Sequence, residues 1–451
     1  MTMASTLLQT PTSARLVVRG GRAIGGRAPL VGDKSISHRI LLLGALADGP
    51  TRIANLSPCA DVRRTRAAIE VLGVAVEDAA DGTVIVAGCG VRGLGGPPVR
   101  IDCGDSGTTM RLLAGLLAGQ PRRFTLTAAA GLGRRPMDRV IAPLRSMGAD
   151  IRAQDGRAPL EGTGGPLAGA EIVLPHASAQ VAGAVLLAGL NAEGTTRVRY
   201  PAPVRDHTER LLAEMGAPIR FDLRSATLDG PVVRLDPASG GTYTVPDDPS
   251  AAAFLLAAAA IVPGAEVRLS GVGLNPGRIG FLDALESMGA DIAIDGWREH
   301  GGEPVGDIVL RHRPLRATGI GGALVPRSID ELPLLAVVAT QAVGTTVIRD
   351  AAELRVKESD RIEAIAAGLA LLGADIEVRP DGWAITGPTP LVGADVDGAD
   401  DHRIVMALAV AGLAARGRTS VSGASRVADS YPRFVEALAA LGGDVEITAG
   451  S

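Results

Sequence analysis

The stretch RVIAPLRSMGADI, Arg139 to Ile151, reads as a helix that stops and a strand that starts. Val140, Ile141, Leu144 and Met147 fall on one helical face. Gly148 then closes the helix, because glycine takes the left-handed conformation without a Cβ clash. The alternation after it opens a strand. The same junction recurs in VLGVAVE (Gly73), EMGAPI (Gly216), SMGADI (Gly289), LLGADIEV (Gly373) and LGGDVEI (Gly442). The spacing is roughly 70 residues, which is the signature of an internal repeat.

A second element recurs once per repeat, an almost wholly apolar helix opening on a polar motif. The six are KSISHRILLLGALA, SGTTMRLLAGLLAG, SAQVAGAVLLAGL, PSAAAFLLAAAAI, SIDELPLLAVVATQA and HRIVMALAVAGLAA. A helix apolar all round is buried. Its first turn presents free N–H groups and the positive end of the macrodipole, which favour anions. Ser35, Ser106, Ser178, Ser250 and Asp330 sit at or near these starts, where such side chains also act as ordinary N-caps. One such start is unremarkable; six suggest anion binding. The chain therefore reads as α/β (α+β by some schemes), with three repeats in each of two domains. A Pro/Gly-rich passage before PDDPS sets the split. Expected domain I is 1–31 with 247–451, expected domain II is 32–246, and hinges fall near 30–33 and 244–248. The N-terminal strand, Ala14–Gly21, is expected to join domain I.

The chain has 451 residues, too many for one ordinary core. Its hydrophobic content of 46% with 21% charged residues is that of a globular protein. Aromatics are 2% and the net charge is −4, so base-stacking platforms and a basic footprint are both missing, and nucleic acid is not an expected partner. Apolar runs such as Ala251–Val262 are too short to span a bilayer. The N-terminus, MTMASTLLQTPTSARL, reads as a short loose tail and not a signal peptide. Cys59, Cys89 and Cys103 lie at no metal spacing, and the six histidines form no ligand pattern. No metal or cofactor is expected, and the location expected is the cytoplasm.

Only two lysines occur, Lys34 in GDKSISHR and Lys357 in RVKESDR, against 45 basic residues in all. A codon bias toward arginine explains their scarcity but not their placement. An ammonium shifts its pKa and exchanges protons, whereas a guanidinium stays charged. Both motifs are therefore candidate chemistry. Glu358 and Arg361, three residues apart, fit either a surface ion pair or a site. Arg403 opens a helix, where the macrodipole disfavours a cation unless an anion compensates. His38, His207 and His402 read as structural hydrogen-bonding residues.

GDKSISHR, GDSGTTMRLLAG, RRPMDRV, SAQVAGAVLLAGL, SIDELPLL, LRVKESDRI and DHRIVMALAV resemble, in order, the motifs of the 3-phosphoshikimate 1-carboxyvinyltransferase family. The resemblance runs from about residue 15 to 448. It implies two domains of three βαβαββ units in an inside-out α/β barrel, with buried parallel helices aimed at an interdomain cleft that closes on substrate. It also implies transfer of the enolpyruvyl group of phosphoenolpyruvate to the 5-hydroxyl of shikimate 3-phosphate, without a metal, in a monomer.

Carried over by motif, Lys34 contacts both substrates and is implied, with Asp330 and Glu358, to be catalytic. Ser35, Arg39, Ser178, Ala179, Gln180, Asp330 and Lys357 fall on the shikimate 3-phosphate side. Gly107, Arg135, Gln180, Arg361 and Arg403 fall on the phosphoenolpyruvate side. Asp330 resembles the base at the hydroxyl and Glu358 the acid at the methylene. Arg205 is either a phosphate contact or a surface helix residue. Asp429 stands where many members carry a lysine, with Arg426 upstream, and Leu112 where some carry proline. Gly107 leaves room for glyphosate, the family's phosphoenolpyruvate-competitive inhibitor. The sister family, UDP-N-acetylglucosamine 1-carboxyvinyltransferase, usually has a Lys-Asn pair near the N-terminus and a loop cysteine. Here Ser35 follows Lys34 and AAAGLG has no cysteine. A catalytically silent phosphosugar-binding protein is the remaining alternative.

Overall fold

The computed structural model describes residues 13–449, and most of the expected N-terminal tail lies outside them. The chain forms two compact units. Of the described residues, one takes 13–31, Asp247–Arg298 and 304–449. The other takes Gly32–Pro246 together with Glu299–Glu303. Each has its own continuous apolar core.

The repeat seen in the sequence is the organising principle of both units. Among the described residues there are six sheets, five of four strands and one of five. A typical sheet carries one parallel pair and then antiparallel ones. Val99–Asp102 runs parallel to Arg123–Thr127, which pairs antiparallel with Arg157–Thr163, and that with Asp150–Gln154. The strand β1 (Arg15–Arg19) lies antiparallel between Arg418–Ser422 and Asp444–Thr448.

Two helices accompany each sheet. In the unit of Gly32–Pro246 they are α1 (Lys34–Leu46), α2 (Ala60–Val71), α3 (Gly107–Ala118), α4 (Asp138–Ser146), α5 (Ala179–Gly189) and α6 (His207–Glu214). In the other unit they are α7 (Pro249–Ile261), α8 (Gly280–Ser287), α9 (Leu332–Ala339), α10 (Arg361–Leu371), α11 (His402–Ala414) and α12 (Phe434–Ala440). The odd-numbered helices are the buried ones. In α7 every residue from Ser250 to Ile261 is buried, so the alanine-rich sequence allows close approach on all sides. α3 and α5 cross in close contact. A Cβ added to Gly115 would lie 2.0 Å from the Ala184 carbonyl oxygen, so only glycine admits this crossing.

The even-numbered helices end at the repeated glycines. Gly73, Gly148, Gly216, Gly289, Gly373 and Gly442 all have φ between +80 and +97. At Gly73, Gly289 and Gly373 no atom lies within 4 Å of an added Cβ, so backbone conformation and not space demands glycine. The amides of Gly148 and Ala149 return to the carbonyls of Arg145 and Leu144 and close the helix.

The helix mouths differ from expectation in detail. Ser106 and Ser178 do cap α3 and α5. α1 and α7 are capped by Asp33 and Asp248, which precede the expected Ser35 and Ser250. Asp330 does not lie in a helix. Leu324–Ser328 forms a short helix of its own, a turn follows, and α9 begins only at Leu332 with no side-chain cap. Pro333 explains the late start, since proline fits only the first turn of a helix.

Candidate active site

The expected residues fall into two clusters, one on each unit. On the unit of Gly32–Pro246, Lys34 opens α1 and pairs with Asp61 in the first turn of α2. One turn on, Arg39 is buried. It donates from Nε to Thr208 Oγ1 at 2.7 Å, from Nη1 to the Ser35 carbonyl at 2.9 Å and from Nη2 to the Ala179 carbonyl at 3.3 Å. The guanidinium thus ties the mouth of α1 to the mouth of α5. Gln180 makes the corresponding tie to α3. Its Nε2 donates to Thr108 Oγ1 at 2.9 Å, and its Oε1 accepts from Arg111 Nη1 at 2.5 Å. Gly107 is the first residue of α3. A Cβ there would stand 3.0 Å from Arg111 Nη1 and 3.2 Å from Arg135 Nη1. Two guanidinium groups therefore meet over a helix N-terminus kept open by a glycine, an arrangement suited to a phosphate or carboxylate.

Beneath these mouths a chain of hydroxyls links three helices. His38 Nδ1 bonds Thr65 Oγ1 at 2.6 Å, Thr65 meets Thr109 at 2.7 Å, and Thr109 meets Ser106 at 2.8 Å. Burial, aided by the charges of Lys34 and Arg39, holds the His38 pKa well below the ordinary imidazole range. His38 is therefore a neutral hydrogen-bonding residue, as expected. His207 is buried too and bonds Glu303 at 2.7 Å.

On the other unit the cluster centres on Arg361, the first residue of α10, which is 2% exposed. Its Nε and Nη2 reach the two oxygens of Asp401 at 2.7 and 3.2 Å. Nη2 also reaches Glu358 at 2.7 Å, and Nη1 reaches Asp330 at 3.4 Å. Glu358 is exposed, but its partner Arg361 is buried, so the two are not a pair of solvated surface residues. Burial disfavours charge on both Arg361 and Asp401, but each charge more than offsets that for the other. The guanidinium pKa is raised and the Asp401 carboxyl pKa is held low. Arg403 donates to Glu331 at 3.2 Å and lies 4.0 Å from Asp330, with its guanidinium 6.0 Å from the Phe254 ring centre. Lys357 is half-buried. Burial lowers its pKa, the charge of Asp330 opposes that shift, and Arg361 adds to it. An ammonium placed so can give up and regain a proton more readily than a solvated one.

Sequence reasoning did not single out Asp401, Glu331, Arg111, Thr108 or Asp61. Asp401, Glu331, Arg111 and Thr108 lie within a few residues of a residue that was named, and their signal was adjacency alone; Asp61 lies in no motif and is brought to Lys34 only by the fold. Arg205 stands in an irregular segment before α6, not on a surface helix. Arg426 is held by Asp400 at 2.6 Å and Asp429 at 3.4 Å. Leu112 leaves α3 unbroken. Among the described residues no cluster of three or more histidines, cysteines or carboxylates is arranged to hold a metal, and no helix is long and apolar enough to cross a membrane.

Residues 18–438 match the model of the EPSP synthase (3-phosphoshikimate 1-carboxyvinyltransferase) family. The chain belongs to the EPSP synthase family. It is 51% identical over 420 residues to a 3-phosphoshikimate 1-carboxyvinyltransferase of Acidithiobacillus ferrooxidans, covering 93% of this chain and 96% of that one. It is 52% identical over 421 residues to the protein of the same name from Gloeobacter violaceus, with 93% and 96% covered. EPSP synthase from Acinetobacter baumannii superimposes with a TM-score of 0.86 at 40% identity, covering 96% of this chain and 100% of that one. The enolpyruvyl transferase NikO from Streptomyces tendae shares the fold at a TM-score of 0.78 and 20% identity, with 98% and 100% covered. The family expected from the seven motifs, and its two-domain α/β fold, are the ones found.

Proposed function

We propose that this EPSP synthase family enzyme transfers the enolpyruvyl group of phosphoenolpyruvate to the 5-hydroxyl of shikimate 3-phosphate with Asp330 as the base and Glu358 as the acid. The observation that carries the assignment is the carboxylate pair held on one buried guanidinium. Arg361 touches both Asp330 and Glu358, so their separation and orientation are set by a group that does not titrate. Addition needs a proton taken from the hydroxyl and another given to the methylene carbon. The new C–O bond forms as the methylene is protonated, which gives a tetrahedral adduct. Loss of a proton from the new methyl group, with cleavage of the C–O bond to phosphate, then restores the double bond and releases phosphate.

The anionic groups are assigned to the helix mouths. The α5 mouth at Ser178, Ala179 and Gln180 takes the phosphate of shikimate 3-phosphate, and Ser35 and Arg39 take its carboxylate. Gly107, Arg135 and Arg403 take phosphoenolpyruvate, Lys34 serves both substrates, and Lys357 serves shikimate 3-phosphate. Arg361 is assigned to phosphoenolpyruvate as well as to holding the carboxylates. Three free cysteines, two of them buried, suit a reducing compartment, and the cytoplasm is the proposed location.

The test is phosphate release from purified protein with phosphoenolpyruvate and either shikimate 3-phosphate or UDP-N-acetylglucosamine as acceptor. Release with shikimate 3-phosphate alone is expected. Asp330→Asn is expected to lower kcat by about 100-fold or more, the usual scale for a lost general base. Normal turnover in that variant would sink the assignment of Asp330, and binding without release in the parent protein would sink the reaction itself.

A further inference from the structure

We propose that Glu331 is a positioning residue for phosphoenolpyruvate binding, one whose buried carboxylate draws the Arg403 guanidinium away from Asp330 and keeps it available to substrate. The inference rests on the assignment of Arg403 to phosphoenolpyruvate.

Glu331 follows Asp330 in the turn before α9 and is 2% exposed. Its Oε1 accepts from Arg403 Nη1 at 3.2 Å and from the Ser250 hydroxyl. Ser250 is itself anchored. Its Oγ accepts from Arg278 Nη2 at 2.9 Å, and the same nitrogen reaches Asp248 Oδ1 at 3.0 Å. Asp248, Ser250, Arg278 and Glu331 are all buried. The carboxylate is thus fixed from the side of α7 and presented to Arg403.

Two features argue that this arrangement is not there for stability. Glu331 Oε2 is buried and has no hydrogen-bond partner among the described residues. A buried carboxylate oxygen without a partner costs folding free energy, which an apolar side chain would avoid. The second feature is competition for the cation. Arg403 has Glu331 at 3.2 Å and Asp330 at 4.0 Å. Asp330 is already engaged by Arg361 at 3.4 Å. Without the charge on Glu331, the nearest carboxylate to Arg403 is Asp330. A pair between them would occupy the proposed base and a proposed substrate-binding cation together. Phosphoenolpyruvate would then have to break that pair before binding.

The experiment is steady-state kinetics on Glu331→Gln, which keeps volume and a hydrogen bond to Ser250 but removes the charge. The KM for phosphoenolpyruvate is expected to rise about tenfold, the scale of one charge-assisted hydrogen bond. The KM for shikimate 3-phosphate and the thermal midpoint are expected to stay where they are. Glu331→Asp, which restores the charge, should recover most of the lost affinity. A folded Glu331→Gln enzyme with an unchanged phosphoenolpyruvate KM overturns the proposal, and so does loss of kcat and melting temperature with both KM values intact. If that variant does not fold, Ser250→Ala removes only the anchoring hydroxyl. It should raise the same KM by about threefold, and no change there overturns the proposal. Arg403→Lys separates the two levels. If it leaves the phosphoenolpyruvate KM unchanged, the assignment of Arg403 fails; if it raises that KM and Glu331→Gln does not, the positioning role alone fails.

Discussion

Replacing Gly107 by alanine tests the phosphoenolpyruvate side with a single methyl group. The new Cβ would lie 3.0 Å from Arg111 Nη1, 3.2 Å from Arg135 Nη1 and 3.4 Å from Leu132 Cδ1. The leucine contact is ordinary, so the strain falls on the two guanidinium groups, each of which must yield a few tenths of an ångström. They do not yield equally. Arg111 is buried and tied to Gln180 at 2.5 Å, whereas Arg135 is only partly buried. Arg135 therefore moves further. Alanine in place of glycine favours the helix by about 0.5–1 kcal/mol, and the crowding offsets much of that, so the melting temperature should change by only about 2–3 °C. Binding has no such compensation. Displacing one guanidinium from an anion weakens a charge-assisted hydrogen bond, and a loss of about 1.5 kcal/mol corresponds to roughly a tenfold rise in the phosphoenolpyruvate KM. Phosphate release under varied phosphoenolpyruvate and saturating shikimate 3-phosphate measures it. A well-folded Gly107→Ala enzyme with normal phosphoenolpyruvate KM would refute the reasoning, because the two arginines would then not face that substrate.

Lys357→Arg keeps a cation but loses an ammonium whose pKa burial has lowered. It should raise the KM for shikimate 3-phosphate by about tenfold with little change in melting temperature; an enzyme with a normal KM for that substrate would mean that only charge is needed there. Asp401→Asn leaves the cap on α11 but removes one of three carboxylates around buried Arg361. A stability loss of about 2–3 kcal/mol in urea is expected, below the full cost of breaking a buried pair because Glu358 and Asp330 remain. His38 is held neutral in the folded state, with its pKa depressed below 6.5. As pH falls, the unfolded chain binds this proton first, so the contribution is complete above about pH 6.5 and declines below it by up to ~1.4 kcal/mol per pH unit. His38→Gln should flatten that part of the curve of melting temperature against pH, and an unaltered slope would reject the assignment.

The repeat was legible because it rests on local chemistry. Glycine at a left-handed helix end and an apolar helix behind a polar motif leave their marks in consecutive residues. Asp330 shows the limit of that reading. SIDELPLL has helical composition throughout, yet Pro333 delays α9 and leaves Asp330 in a turn. The site was legible only as motifs. That Arg361 is buried against Asp401, 40 positions away, is a property of tertiary packing with no trace in spacing. Glu331 was hidden for the same reason. Beside Asp330 it looks like a second exposed acid, and its meaning comes from Ser250 and Arg403, which only the fold brings to it.

The crossing at Gly115 has an evolutionary consequence. Where two helices touch backbone to backbone, neither can slide to make room for a change at its end. α3 carries Gly107 and Arg111 and α5 carries Gln180, so a lineage that fills the space at Gly107 cannot recover affinity by shifting either helix. Adaptation is left to the loop that bears Arg135, whose residues are not locked in that crossing. Compensating substitutions selected under an inhibitor should therefore accumulate between Ala128 and Asp138 and spare both helices.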